Sequence, residues 1–252
     1  MNGAVDEGEV PLLDGPLFMI GRHRMPVTPL DRTFLTRRAA ARNLILVRHG
    51  QQELPSASRS REDFYDPPLS ELGVRQAAAV ARMATRYGLE AVYSSDLVRA
   101  RQTAEAVADA CGLTVSEELP ELREIDMYRD LATAEDSMRP SDGWRAGLPA
   151  VFMRTRRWGA YPYGETSEAF RARVATSIEG ILALNPGANV AVVAHGGVIG
   201  AYVSELLGVS QDMVFQPAHC SLTWIRHAPE GRREIHSLNL VEHLFDADLL
   251  SY

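Results

Sequence analysis

The chain has 252 residues with 26 basic against 33 acidic side chains, a formal charge of −7. All 26 basic residues are arginine, so Schiff-base chemistry, pyridoxal phosphate enzymes and the lysine-dependent phosphate loop are excluded. At 46% hydrophobic and 23% charged residues the composition is that of one globular domain, and the net acidity argues against nucleic acid as a partner.

Residues 1–42 mix Gly, Pro, Arg and short apolar pieces without periodicity and read as an extension, partly disordered or draped over a domain at 43–245. Neither a secretory nor a twin-arginine signal is expected, because Asp6, Glu7 and Glu9 stand where a leader would be positive and Arg37-Arg38 is followed by Ala39 to Ala41 and then by charged Arg42. No apolar run reaches membrane length, so no membrane partner is expected. Cys111 and Cys220 form no CxxC, which points to a reducing, cytoplasmic compartment and to small buried residues.

Asn43–Val47 is apolar without alternation, as in a strand buried on both faces. Ser70 caps a helix over Glu71–Tyr87 that Gly88 ends. A strand at Ala91–Ser94, a helix at Leu97–Ala110 and a strand at Leu113–Val115 complete a βαβαβ unit. Residues 127–164, with Trp144, Phe152, Trp158, Arg154, Arg156 and Arg157, read as an irregular insertion over one end of the sheet. A helix at Ser167–Leu184, a strand at Asn189–Ala194, a helix from about Val198 to Leu207 and β-rich stretches at Ser221–Arg226 and Arg233–Asn239 follow. The expected class is α/β.

Two apolar strands end alike: one runs into Arg48-His49-Gly50, the other into His195-Gly196-Gly197. In an open α/β sheet, ligands bind beyond the carboxyl ends of the strands, so His49 and His195 can share a crevice. Arg99 lies in the first turn of a helix that directly follows a strand, where free N–H groups and a guanidinium fork favour an anion. Arg101 faces elsewhere. The other histidines, His23, His219, His227, His236 and His243, are expected at the surface or in packing, and no metal site is expected.

The segments LVRHGQ, DPPLSELGVRQA, YSSDLVRARQTA, LREID, GETSEAF, VVAHGGVI and CSLTWI occur in the order found in the histidine phosphatase superfamily, which this chain resembles over about residues 43–226. The resemblance implies a three-layer α/β/α sandwich with a mostly parallel sheet, as in the phosphoglycerate mutases. It implies His49 as nucleophile, Glu124 as general acid and His195 as a further catalytic group, with Arg48, Arg99, Gln51, Gln52 and Gly196 on the substrate phosphate. Cationic neighbours keep His49 neutral, as a nucleophile must be. His195 is expected as an imidazolium donor.

The implied activity is a phosphomonoester hydrolase working through phosphohistidine on a small phosphorylated metabolite, without cofactor or metal. A homodimer is compatible with it. A bisphosphoglycerate-dependent mutase and a degenerate phosphate-binding module are the alternatives. Gly164 follows Glu124 by 40 positions, the shorter spacing of the phosphatase-like members. The residues Gln52 to Pro55 depart from the family's usual threonine or serine and asparagine, and Met127 to Asp130 from its Gly-Trp-Glu-Gly. An esterase reading of the HGG triplet lacks a GxSxG elbow.

Overall fold

The computed structural model describes residues 28–35, 41–53, 66–127, 142–161, 164–228, 230–245 and 248–252. Six strands form one sheet: β1 (Arg42–Arg48), β2 (Ala91–Ser95), β3 (Val115–Leu119), β4 (Val190–Ala194), β5 (Leu222–His227) and β6 (Arg233–Leu240). Their spatial order is β3-β2-β4-β1-β5-β6. β3, β2, β4 and β1 run parallel to one another, whereas β5 pairs antiparallel with both β1 and β6.

The helices among the described residues are α1 (Pro29–Thr33), α2 (Glu71–Ala84), α3 (Val98–Ala110), α4 (Asp142–Thr155), α5 (Ser167–Leu184), α6 (Gly196–Leu207) and α7 (Glu242–Phe245). Successive residues of a strand point to opposite faces, which accounts for the unbroken apolar run of β1. Leu44 and Leu46 join Phe170, Val174 and Ile178 of α5 and Ile199 and Tyr202 of α6. Ile45 and Val47 join Val80 and Ala84 of α2, Ala104 and Val107 of α3 and Leu244 of α7. The result is the three-layer α/β/α arrangement.

Local signals account for most boundaries. Ser70 accepts a hydrogen bond from Gly73 N at the start of α2, and a 3-10 turn over Thr85–Tyr87 leads to Gly88 at φ 59°. α6 begins at Gly196, two residues before the expected start, and ends at Gly208 with φ 65°. The third strand lies at Val115–Leu119 rather than Leu113–Val115. It is an edge strand with exposed Ser116, Glu117 and Glu118, so it lacks the apolar run that marked the others.

One expectation needs correction. The insertion is not irregular throughout: α4 occupies 14 of its residues despite Pro149 within it. Residues 128–141, 162 and 163, and the side chain of Trp144, lie outside the described residues. Of the extension, only 28–35 and 41–42 are described. Thr28 makes a capping box with Asp31, and the buried Leu35 packs with Ala41 and Ala228. That part is draped on the sheet's β5–β6 side, where Phe34 O accepts from His236 Nε2 at 3.3 Å.

The loop after β1 is pressed onto the start of α2. A Cβ on Gly73 would meet Gln51 O at 2.0 Å, and one on Gly50 would meet Gly73 O at 2.6 Å. Both obstacles are backbone, so neither gives way locally. Gly73→Ala is therefore expected to lower the unfolding free energy by about 1–3 kcal/mol, read as a fall in the urea midpoint. An unchanged midpoint would show that this approach is not tight in solution.

Candidate active site

The parallel register pairs Arg48 of β1 with Ala194 of β4, so the next residues, His49 and His195, leave adjacent strands side by side. Their ring centroids are 5.0 Å apart, and both rings are buried. The sequence repeat of a strand ending in histidine thus becomes one crevice at the carboxyl edge of the sheet.

Arg99 reaches this crevice from the first turn of α3 and donates from Nε to His49 Nε2 at 3.3 Å. An arginine can only donate, so Nε2 carries the lone pair and the ring proton sits on Nδ1, which gives it to Gly50 O at 2.7 Å. Burial, then His195, Arg99 and Arg48, push the His49 pKa well below its usual value. His49 is a neutral imidazole with its available nitrogen turned toward a guanidinium.

The same causes act on His195, and here the structure corrects the expected imidazolium. Burial first, then Arg99 and Arg48, hold its pKa well below the ordinary value. A neutral His195 can still donate. Ser95 Oγ accepts from Leu97 N at 3.3 Å and stands 2.9 Å from His195 Nε2, with its own proton available for that nitrogen. With Ser95 donating, the ring proton is on Nδ1, which has no partner among the described residues; with Ser95 accepting through its second lone pair, it is on Nε2.

Arg48 donates to Pro217 O at 2.6 Å and to His219 Nε2 at 3.0 Å. Its buried Nε has no hydrogen-bond partner among the described residues and runs beside Gly196, whose Cβ would lie 3.6 Å from it. Glu124 closes the other side. Its two oxygens accept from Ile125 N at 3.0 Å and from Gly197 N in the first turn of α6 at 2.9 Å.

Gln51 and Gln52 hold the loop. Gln51 Oε1 accepts from Ser70 Oγ at 2.9 Å, and Gln52 bridges Leu69 across an antiparallel pair. Leu54 and Pro55 lie outside the described residues. Arg101 is partly exposed and pairs with Glu105 and Glu118, away from the histidines.

Several supporting residues carried no signal strong enough to be singled out. Thr103 Oγ1 accepts from Gly50 N at 3.1 Å and donates to Arg99 O at 2.8 Å, tying the loop after His49 to the helix that carries Arg99. Gln102 Oε1 accepts from Leu69 N, and Asp66 caps α3 through Val98 N at 2.7 Å. Arg173, gripped by Glu165, donates to the carbonyls of Glu121 and Arg123 and so steadies the turn before Glu124. His219, expected as a surface or packing residue, is buried with its ring centroid 5.7 Å from His49. Position in the polar runs of helices or turns did not distinguish these residues from ordinary surface ones.

A family model of the histidine phosphatase superfamily (branch 1) matches residues 44–240. The chain belongs to that superfamily. A probable phosphoglycerate mutase, GpmB of Yersinia pestis (strain Pestoides F), is 35% identical over 175 residues, 69% of this chain and 75% of the relative. A mycobacterial glucosyl-3-phosphoglycerate phosphatase is similar in structure with a TM-score of 0.63 and 27% identity, covering 79% of this chain and 99% of that one. A phosphoglycerate mutase from Bacillus anthracis str. Sterne shares the fold, with a TM-score of 0.63 at 23% identity over 82% of this chain and 97% of that one. Superfamily membership therefore carries phosphatase or mutase chemistry. Among the described residues no group of three His, Cys, Asp or Glu side chains could hold a metal ion, and no helix is long and apolar enough to cross a membrane.

Two outcomes follow from this geometry. Burial and Arg48 also lower the pKa of His219, to about 3, so three histidines stay neutral in the folded protein where the unfolded chain would protonate them. Below pH 6.5 the unfolded state binds more protons, and stability present above that pH is lost on acidification at roughly 1 kcal/mol per pH unit for each such histidine. Urea midpoints measured from pH 7.5 to 5 should fall, and a flat profile would contradict the neutral cluster. A Cβ at Gly197 would meet Glu124 Oε1 at 2.2 Å and Trp158 Cζ2 at 3.3 Å. Since the side-chain carboxylate can swing aside, Gly197→Ala should keep its thermal midpoint while losing roughly 100-fold in turnover.

Proposed function

We propose that the protein is a phosphomonoester hydrolase that passes the phosphoryl group through His49 to water, on a small phosphorylated metabolite. The observation that carries this reading is the His49 tautomer: a neutral ring whose Nε2 lone pair is aimed into a pocket built from Arg48, Arg99 and His195.

His49 Nε2 attacks phosphorus as the bond to the leaving oxygen breaks. Arg48, Arg99 and His195 Nδ1–H donate to the phosphoryl oxygens, and charge-assisted hydrogen bonds of this kind are worth about 1.5–3 kcal/mol each. The amide of Gly196 at the positive end of α6 favours the same charge. Glu124 gives a proton to the departing alcohol, then takes one from the water that opens the phosphohistidine. The nitrogen–phosphorus bond breaks, phosphate leaves, and both residues return to their starting forms.

Hydrolysis is favoured over isomerisation by the cations near Glu124. A bisphosphorylated intermediate has to be held by a second anion site while it turns. The arginines Arg123, Arg173 and Arg157, which flank Glu124 and Trp158, are paired with Asp96, Glu165 and Glu168. The wall beside Glu124 is aromatic, with Phe152 stacked on Trp158 at 4.4 Å and Tyr161 alongside. The relative named as a probable mutase is the reason to test both reactions.

Purified protein without added metal or bisphosphoglycerate should hydrolyse p-nitrophenyl phosphate and trap acid-labile phosphate on acid quenching, and His49→Ala should do neither. Isomerisation of phosphoglycerate that requires bisphosphoglycerate would replace this reading with mutase. Phosphate binding without trapped phosphate or turnover would replace it with a binding module.

A further inference from the structure

Behind the arginine of the first motif lies a hydrogen-bonded chain that the reaction scheme does not use. His219 Nε2 faces Arg48 Nη2 at 3.0 Å, and His219 Nδ1 faces Ser251 Oγ at 2.9 Å. His219 N also donates to Ser251 O. Gln76 Nε2 donates to Ser251 Oγ at 2.8 Å and to Leu249 O at 2.7 Å, while its Oε1 accepts from Gln51 N at 2.8 Å. Segment 249–251 therefore touches both the loop after His49 and the residue behind Arg48.

Donor and acceptor counting orders this chain. Arg48 cannot accept, so His219 Nε2 must be bare, and the ring proton goes from Nδ1 to Ser251 Oγ. Ser251 Oγ has two lone pairs and takes one bond from His219 and one from Gln76. Burial and Arg48 keep the ring unprotonated down to about pH 3, so the acceptor persists at working pH. The turn that carries His219 is itself fastened to β1, since Cys220, at φ 55°, donates from N to Arg48 O at 3.1 Å.

We infer that Ser251 and His219 are positioning residues for the phosphate-binding arginine: Ser251 accepts the Nδ1 proton and so supports the tautomer that Arg48 requires of His219, whose lone pair, with the Pro217 carbonyl, holds the Arg48 guanidinium with its Nε edge toward the anion. The inference rests on the reading of Arg48 as a phosphate ligand. A flexible arginine held by two acceptors on its outer nitrogens keeps its remaining N–H aimed, and that preorganisation acts on anion affinity.

The test is calorimetric binding of orthovanadate at pH 7.5 to the wild type, Arg48→Ala, His219→Leu, His219→Gln, Ser251→Ala and the double variant of Arg48→Ala with His219→Leu. His219→Leu should weaken binding about tenfold, and His219→Gln, whose amide oxygen can accept from Arg48, should recover most of it. In the Arg48→Ala background the His219→Leu effect should vanish, which a general structural defect would not do. Nitrogen-15 shifts of His219 should report the Nδ1–H tautomer in the wild type and a mixture in Ser251→Ala. If Arg48→Ala weakens binding while folded His219→Leu does not, or if the two effects add, or if His219 is Nε2–H, the positioning role is wrong. If Arg48→Ala leaves binding unchanged, the phosphate reading fails first and this inference with it. Should His219→Leu not fold, Ser251→Ala with its own Arg48→Ala double variant gives the same comparison.

Discussion

A guanidinium can donate hydrogen bonds but never accept one, and the pocket is organised around that asymmetry. Wherever a histidine meets an arginine here, the facing nitrogen has to be bare. Arg99 imposes this on His49, and Arg48 imposes it on His219. Each ring then needs an acceptor for its other nitrogen, found in Gly50 O for one and Ser251 Oγ for the other. Burial works in the same direction, because a second proton on any of these rings would be both desolvated and repelled.

Such an arrangement holds only if the backbone places the groups within tenths of an ångström. The in-register pairing of β1 with β4 brings His49 beside His195, and β2 on the far side of β4 supplies Ser95. Around this rigid edge, short polar side chains fasten the loops: Thr103 and Gln76 hold Gly50 and Gln51, and Gly73 lets α2 approach that loop at backbone distance. On the opposite side Arg173 braces the turn that presents Glu124, and Gly197 leaves space for its carboxylate.

His49, His195 and Arg99 were legible because each follows an apolar run and a boundary signal: a strand's end or a helix's first turn. Arg101, two positions from Arg99, was correctly placed outside the pocket for the same reason, since the helical turn rotates it away. The third strand was misplaced because this edge strand, exposed at the consecutive positions Ser116, Glu117 and Glu118, has no apolar run to mark it. α4 was missed because Gly143, Gly147 and Pro149 depress local helix propensity, and tertiary context overrode it. His219 was undervalued because a histidine in the turn between Pro217 and Ser221 carries no periodic signal, and its partners Arg48 and Ser251 are distant in the chain.

By itself, the sequence determined the α/β class, the family, and the residue types at the strand ends, since apolar periodicity, caps and turn glycines are local properties that a chain displays in order. The absence of lysine made every fixed positive charge a guanidinium, long before any position was assigned. What only the tertiary structure decided was which nitrogen carries each proton. A tautomer depends on partners that stand on other elements, His49 on Arg99 of α3 and His219 on Arg48 and segment 249–251, and no spacing along the chain encodes those contacts.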